Sequence, residues 1–125
     1  MKALLDTNFL MIPGEFGVDV LSELLGLGYT EVFTIDLVIR ELESLAVSKG
    51  KEGRNARIGL EFIRKGEVVV LKAGGERTDD EILRLAKTRA YVACTQDKDL
   101  IKRIQREGLP FITLRQGKYL VESKK

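Results

Sequence analysis

The chain has 125 residues and a mass of 14.0 kDa, enough for one domain with a real core, and its 44% hydrophobic and 32% charged residues exclude a disordered polymer. It has no His and one Cys, which excludes Ser-His-Asp and Cys-His hydrolases, His-based acid–base catalysis and a structural zinc site. Carboxylates are left as the tools of any chemistry, and the net charge of +2 says little about partners, since a near-neutral total can hide a patch.

In chain order, "KALLD" (2–6) is an apolar strand running straight into a charge, Asp6. A helix over 17–27 follows, with Val18, Leu21, Leu24 and Leu25 inward and Asp19 and Glu23 solvated. Gly28 sits where a helix C-cap belongs, as do Gly66 and Gly108 further on. "EVFTI" (31–35) is a more mixed strand, and Asp36 caps a helix over 37–48. At about 100° per residue, Glu41 falls between Leu37 and Leu45 at the edge of the apolar stripe, while Glu43 points nearly the other way.

"SKGKEGRN" (48–55) is the most polar stretch and reads as a mobile loop before a helix over 54–65. After the strand "EVVVL" (67–71), "TDDEILRLA" opens a helix over 79–89 whose stripe holds Ile82, Leu83, Ala86 and Ala90. Asp79 lies on that stripe and Asp80 off it, and Thr78 with Glu81 reads as a capping box. Cys94 closes the strand "AYVAC" (90–94) as a small core residue. In the helix over 98–107, Asp97 has the offset to Leu100 and Ile101 that Asp79 has to Ile82 and Leu83; Asp99 falls elsewhere, and either acid suits a cap. "PFITL" (110–114) is the fifth strand, and the chain from Gln116 forms a small final strand or an arm.

Repeated βα units argue for an α/β protein with a parallel five-stranded sheet and helices on both faces, residues 1–125 forming one domain. "KALLD", "EVVVL", "AYVAC" and "PFITL" are apolar enough to be buried on both faces. No apolar run approaches the roughly 20 residues of a membrane span and the N-terminus has no signal-peptide pattern, so a cytoplasmic protein without membrane attachment is expected.

Taken one at a time, the inward acids have structural explanations, as caps or as a snorkelling side chain. Together, Asp6, Glu41, Asp79 and Asp97 offer four carboxylates toward the carboxyl edge of the sheet, where ligands bind in such folds. Like charges there repel by about 4 kcal/mol per pair at roughly 4 Å and an effective dielectric near ~20. Such a cluster holds protons at raised pKa values or binds a cation, and all-oxygen ligation suits Mg²⁺ or Mn²⁺. The pattern favours metal-dependent phosphodiester hydrolysis. A phosphoacceptor receiver domain would need an acid after the third strand, where "VVVLKAGG" has none, and a dinucleotide-binding domain would need glycines after the first.

"LLDTNFL", "VIRELESL", "TDDEIL" and "VACTQDKDL" resemble, in order and spacing, the four acidic motifs of PIN-domain ribonucleases, over essentially the whole chain. The resemblance implies a three-layer αβα sandwich and a Mg²⁺- or Mn²⁺-dependent endoribonuclease acting on single-stranded RNA. Its metal-binding acids would be Asp6, Glu41, Asp79 and Asp97, with Asp99 as a further ligand, Asp80 in reserve, and Asn8 and Thr95 as polar supports. "NFLMIPGEFGVD" and "PFITLRQGKYL" are similar to archaeal relatives of the small-subunit processome PIN nuclease, which cuts precursor ribosomal RNA; the VapC-type toxins share the acidic core. The resemblance admits a homodimer and an antitoxin-like or ribosome-assembly partner. The rival from another class is a non-catalytic PIN domain that binds RNA or protein.

An acidic pocket repels a polyanion, so basic residues must flank it. The candidates are Arg54 and Arg57, with Lys49 and Lys51, beside the polar stretch, and Lys98 and Arg115, with Lys102 and Arg103, near the last unit. The plainer reading of most of these is a solvated helix face. Phe9 and Phe16 suit either base stacking or the core.

Overall fold

β1 (Lys2–Leu5) has three of its four residues buried, as the apolar run "ALL" demands, and in the computed structural model, which describes residues 1–123, it lies inside the sheet. It pairs in parallel with β2 (Glu31–Ile35) on one side and β4 (Val92–Cys94) on the other. β3 (Val69–Leu71) continues the sheet beyond β2, and β5 (Phe111–Arg115) and β6 (Tyr119–Ser123) continue it beyond β4, giving the order β3-β2-β1-β4-β5-β6.

α1 (Thr7–Phe16) and α2 (Val20–Gly26) connect β1 to β2, and α3 (Asp36–Ala46) and α4 (Lys51–Arg64) connect β2 to β3. The path then crosses back past β1 through α5 (Thr78–Lys87) to β4, and α6 (Lys98–Arg106) leads to β5. Right-handed crossovers in two opposite directions put the first four helices on one face and the last two on the other. α1, α3 and α4 pack on one another, as do α5 and α6, which makes the three-layer αβα sandwich. The direction reverses between β1 and β4, so their carboxyl ends border the crevice where such sheets bind ligands.

The sheet has six strands where five were expected. The sixth is the tail after Gln116, which turns through the positive φ angles of Gln116 (57°) and Gly117 (64°) and returns antiparallel to β5. β3 is an edge strand, with Val69 51% exposed, and is not buried on both faces as its composition suggested. A valine run reads the same at the edge of a sheet as at its centre.

α1 was not expected, and Pro13-Gly14 in its middle is a pair that ordinarily marks a turn. Burial overrides that signal: Phe9, Leu10, Met11 and Ile12 enter the core, and glycines let α4 come close. A Cβ on Gly14 would stand 2.7 Å from Asn55 Oδ1, and one on Gly59 would stand 2.8 Å from the Leu10 carbonyl oxygen. Gly17, at φ 69°, ends the helix. α4 also begins earlier than expected, at Lys51 rather than at 54, so the polar stretch leaves a loop of only 47–50.

Smaller corrections share one cause, partners far away in sequence. Asp36 opens α3 rather than capping it, and its Oδ1 accepts from the backbone N–H of Leu37 and of Ala73, tying α3 to the loop before α5. Glu23 is not merely solvated, since its Oε1 accepts from the Leu120 N–H at 3.0 Å. Asp19 is exposed and caps α2 through Ser22. Leu25 points outward at 61% exposure, and Ala90 lies beyond the end of α5. Gly28, Gly66 and Gly108 do follow helix ends with positive φ.

Candidate functional site

At the crevice, the carboxyl end of β1 delivers Asp6 and the carboxyl end of β4 delivers Thr95 and Asp97. Asp6 is 5% exposed and is the N-cap of α1, its Oδ1 accepting from the Phe9 N–H at 2.9 Å. Its Oδ2 accepts from the hydroxyl of Thr95, which is fully buried. Thr95 Oγ in turn accepts from the Asp97 N–H at 3.0 Å, so one hydroxyl links the two acidic segments. The Thr34 hydroxyl donates to the Leu5 carbonyl at 2.7 Å and fixes the end of β1 just before Asp6.

Asp97 is half-buried and caps α6, its Oδ1 accepting from the Leu100 N–H at 2.9 Å. Asp79, in the first turn of α5, is half-buried as well. Glu41 reaches the crevice from the solvent side of α3 and is held at both oxygens. Oε1 accepts from the Thr7 hydroxyl, and Oε2 accepts from the Thr78 hydroxyl at 2.6 Å. The four acids line one cleft of about 410 Å³ together with Thr7, Asn8, Ser44 and Thr78.

The electrostatics follow from this crowding. Asp6 is pushed from 3.8 to about 7, chiefly by burial, with Asp79 and Asp97 adding to the rise and the Thr95 and Phe9 hydrogen bonds opposing it. Asp79 is also raised, by burial first and then by Asp97, with Arg103 pulling the other way and Glu41 and Asp80 adding to it. The cluster destabilises its own charged state, and a divalent cation would relieve it.

Among the described residues, no three Asp, Glu, Cys or His side chains stand close enough together to ligate one ion. The donor set still suits a hard cation, because Mg²⁺ keeps most of its water and binds through one or two carboxylates rather than a full protein cage. Asp6, Asp79, Asp97 and Glu41 are the residues that would hold it.

The other expected residues divide. Thr95 is placed to orient acids, whereas Asn8 is exposed at the rim of the cleft. Asp99 is exposed on α6 and does not line the cleft. Asp80 turns outward to Arg103 at 2.9 Å and Arg77 at 3.7 Å. Arg57 is committed to the end of α3, where its guanidinium donates to the Ala46 and Ser48 carbonyls. Arg54 lines a second cavity between α1 and α4, while Lys98 and Arg115 are exposed outside the cleft lining. Phe9 is core, Phe16 is 47% exposed, and Cys94 is fully buried with its thiol pushed up by burial.

Thr7 and Thr78 are the site residues that sequence reasoning missed. Thr78 was assigned to a capping box with Glu81, but Arg77 occupies the N-cap position and the Thr78 hydroxyl goes to Glu41 instead. Only the tertiary placement of α3 beside the start of α5 reveals this, since the two residues are 37 apart in the chain.

The family model described as "PIN like domain" matches residues 3–117. Ribonuclease VapC9 of Archaeoglobus fulgidus is 32% identical over 117 residues, which covers 93% of this chain and 84% of that protein. The solved structure of the PIN domain endonuclease Utp24 superposes with a TM-score of 0.79 at 22% identity, covering 99% of this chain and 92% of that one.

Proposed function

The chain belongs to the PIN-like domain family, and we propose that it is a Mg²⁺- or Mn²⁺-dependent endoribonuclease that hydrolyses phosphodiester bonds in single-stranded RNA. The observation that carries the reading is the buried Asp6 among Asp79 and Asp97, raised to about 7 with no His nearby to share the work. RNA as substrate is supported by the ribonuclease name of the relative that matches along nearly the whole chain. That likeness favours a VapC-type toxin, with an antitoxin-like protein as its regulator, over a role in precursor rRNA processing. Residues 1–125 act as one nuclease domain.

A divalent cation held by Asp6, Glu41, Asp79 and Asp97 would supply Lewis-acid stabilisation of the phosphoryl oxygens and acidify the attacking water. The chain's part is placement. Thr95 and the Phe9 N–H fix the Asp6 carboxylate, and the cap to Leu100 fixes Asp97. Thr7 and Thr78 hold Glu41 across the cleft from them. These contacts set the acids before substrate arrives, so little reorganisation accompanies the reaction.

The test is cleavage of an end-labelled single-stranded RNA in Mn²⁺ by wild type and by Asp6→Asn, with an EDTA control. Wild type is expected to cut, and both Asp6→Asn and EDTA to abolish cutting. Equal cutting by Asp6→Asn would overturn the mechanism. Mn²⁺ binding without cutting of any RNA would favour the non-catalytic reading.

A further inference from the structure

The second cavity, of about 590 Å³, lies between α1 and α4 and adjoins the acidic cleft through Asn8, which lines both. Its α1 wall is the stripe of Asn8, Met11 and Glu15, residues spaced to share one helix face. Lys51, Glu52, Arg54 and Asn55 of α4 stand opposite. The walls are fixed relative to each other by the close approach of Gly14 to Asn55. The volume is that of a small-ligand site.

The charges in this cavity are mixed and free. Among the described residues, Lys51, Arg54, Glu15 and Glu52 take part in none of the ion pairs. A track for phosphates alone would be lined by cations. Two cations, two carboxylates, two amides and a methionine instead match the parts of one unpaired nucleotide. Lys51 and Arg54 suit its phosphate, the edge of the largely buried Met11 gives an apolar floor for a base, and Glu15, Glu52 and Asn55 Oδ1 suit an exocyclic amino group. Uracil has no such group.

We propose that this cavity is a base-selecting subsite for a nucleotide next to the cleaved bond, accepting the amino-bearing bases adenine, cytosine and guanine over uracil. The inference rests on the nuclease reading, because the acids define the bond to which the nucleotide is adjacent.

The probes are short single-stranded oligouridylates, with and without one internal adenosine or cytidine. Cutting is mapped in Mn²⁺, and binding is measured by fluorescence anisotropy in EDTA. Wild type is expected to cut at a fixed offset from the substituted base about tenfold faster than at the same bond in oligouridylate. Glu15 and Glu52 are exposed on helices, so the double variant E15A/E52A keeps the fold while removing both acceptors; it should bring that ratio close to unity, as should Asn55→Ala. A ratio near unity in wild type, or one unchanged in both variants, overturns the subsite. Base-dependent binding that E15A/E52A abolishes, without any cutting, would keep the subsite and overturn the nuclease reading. Neither cutting nor base-dependent binding would overturn both.

Discussion

The acidic cleft and the seam that fastens β6 both bring distant carboxylates into contact with donors, yet they differ in what surrounds those carboxylates. In the seam, Glu122 Oε1 accepts from the Tyr29 hydroxyl at 2.8 Å, and Glu23 Oε1 accepts from the Leu120 N–H at 3.0 Å. In the cleft, Asp6 and Glu41 are equally well supplied with donors. Hydrogen bonding therefore does not separate the two regions. Burial and acids facing acids do: burial raises Asp6 first, with Asp79 and Asp97 adding to it, and burial raises Asp79 first, with Asp97 and Glu41 adding to it. Such crowding weakens the folded state, and a bound cation would relieve it.

The sharpest way to break the contrast is to remove the charge of Asp6 and follow stability with pH. Its folded pKa, about 7, lies above the ordinary 3.8, so the folded chain holds a proton that the unfolded chain has released across that window. Stability from this group is present at low pH and is lost as pH rises from about 4 to about 7, by on the order of 3–4 kcal/mol. Asp6→Asn keeps the cap acceptor and removes the loss. Denaturant melts should show the variant gaining on wild type between about pH 5 and about pH 7.5, while the same variant should lose RNA cutting. Mn²⁺ should restore wild type and leave the variant nearly unmoved. A wild-type minus variant difference that stays flat with pH would remove the electrostatic argument for the site.

A smaller effect should sharpen the cleft side. Thr78, directly before Asp79 in the chain, holds Glu41 through its hydroxyl. Thr78→Val should weaken Mn²⁺ binding by about tenfold in calorimetry, and Thr78→Ser should recover it. Equal affinity in all three proteins would make the contact incidental.

Much of this cleft was legible in the sequence, and its limits follow the range of the interactions. Asp6, Asp79 and Asp97 showed because each occupies a local register, at a strand end or on an apolar helix stripe, and the structure brings them together with Glu41. Asp99 and Asp80 share the neighbourhood in sequence but point outward, which a count of nearby acids does not register. α1 was hidden because Pro13 and Gly14 break a local rule that packing on α4 outweighs. The role of Thr78 and the tie between Glu23 and β6 depend on partners 37 and 97 residues away. Arg57 looked like any surface cation until the end of α3 was placed beside it.

The least effect is expected in the seam, where it tests whether the two regions are independent. Tyr29 is 1% exposed and its hydroxyl serves only Glu122 among the described residues. Tyr29→Phe leaves the ring packed and removes one hydrogen bond, which should cost about 1 kcal/mol of stability in urea melts. Cys94 lies between the regions, its thiol raised by burial and then by both Asp6 and Glu122, so the two acids share a wall of the core. A shared wall transmits a change only if packing shifts, and Tyr29→Phe gives the ring no reason to move. Mn²⁺-dependent cutting by the folded variant should therefore match wild type. A loss of cutting larger than the loss of folded protein would show that the strand carrying Cys94 relays strain from β6 to Asp6, and the seam would then belong to the site.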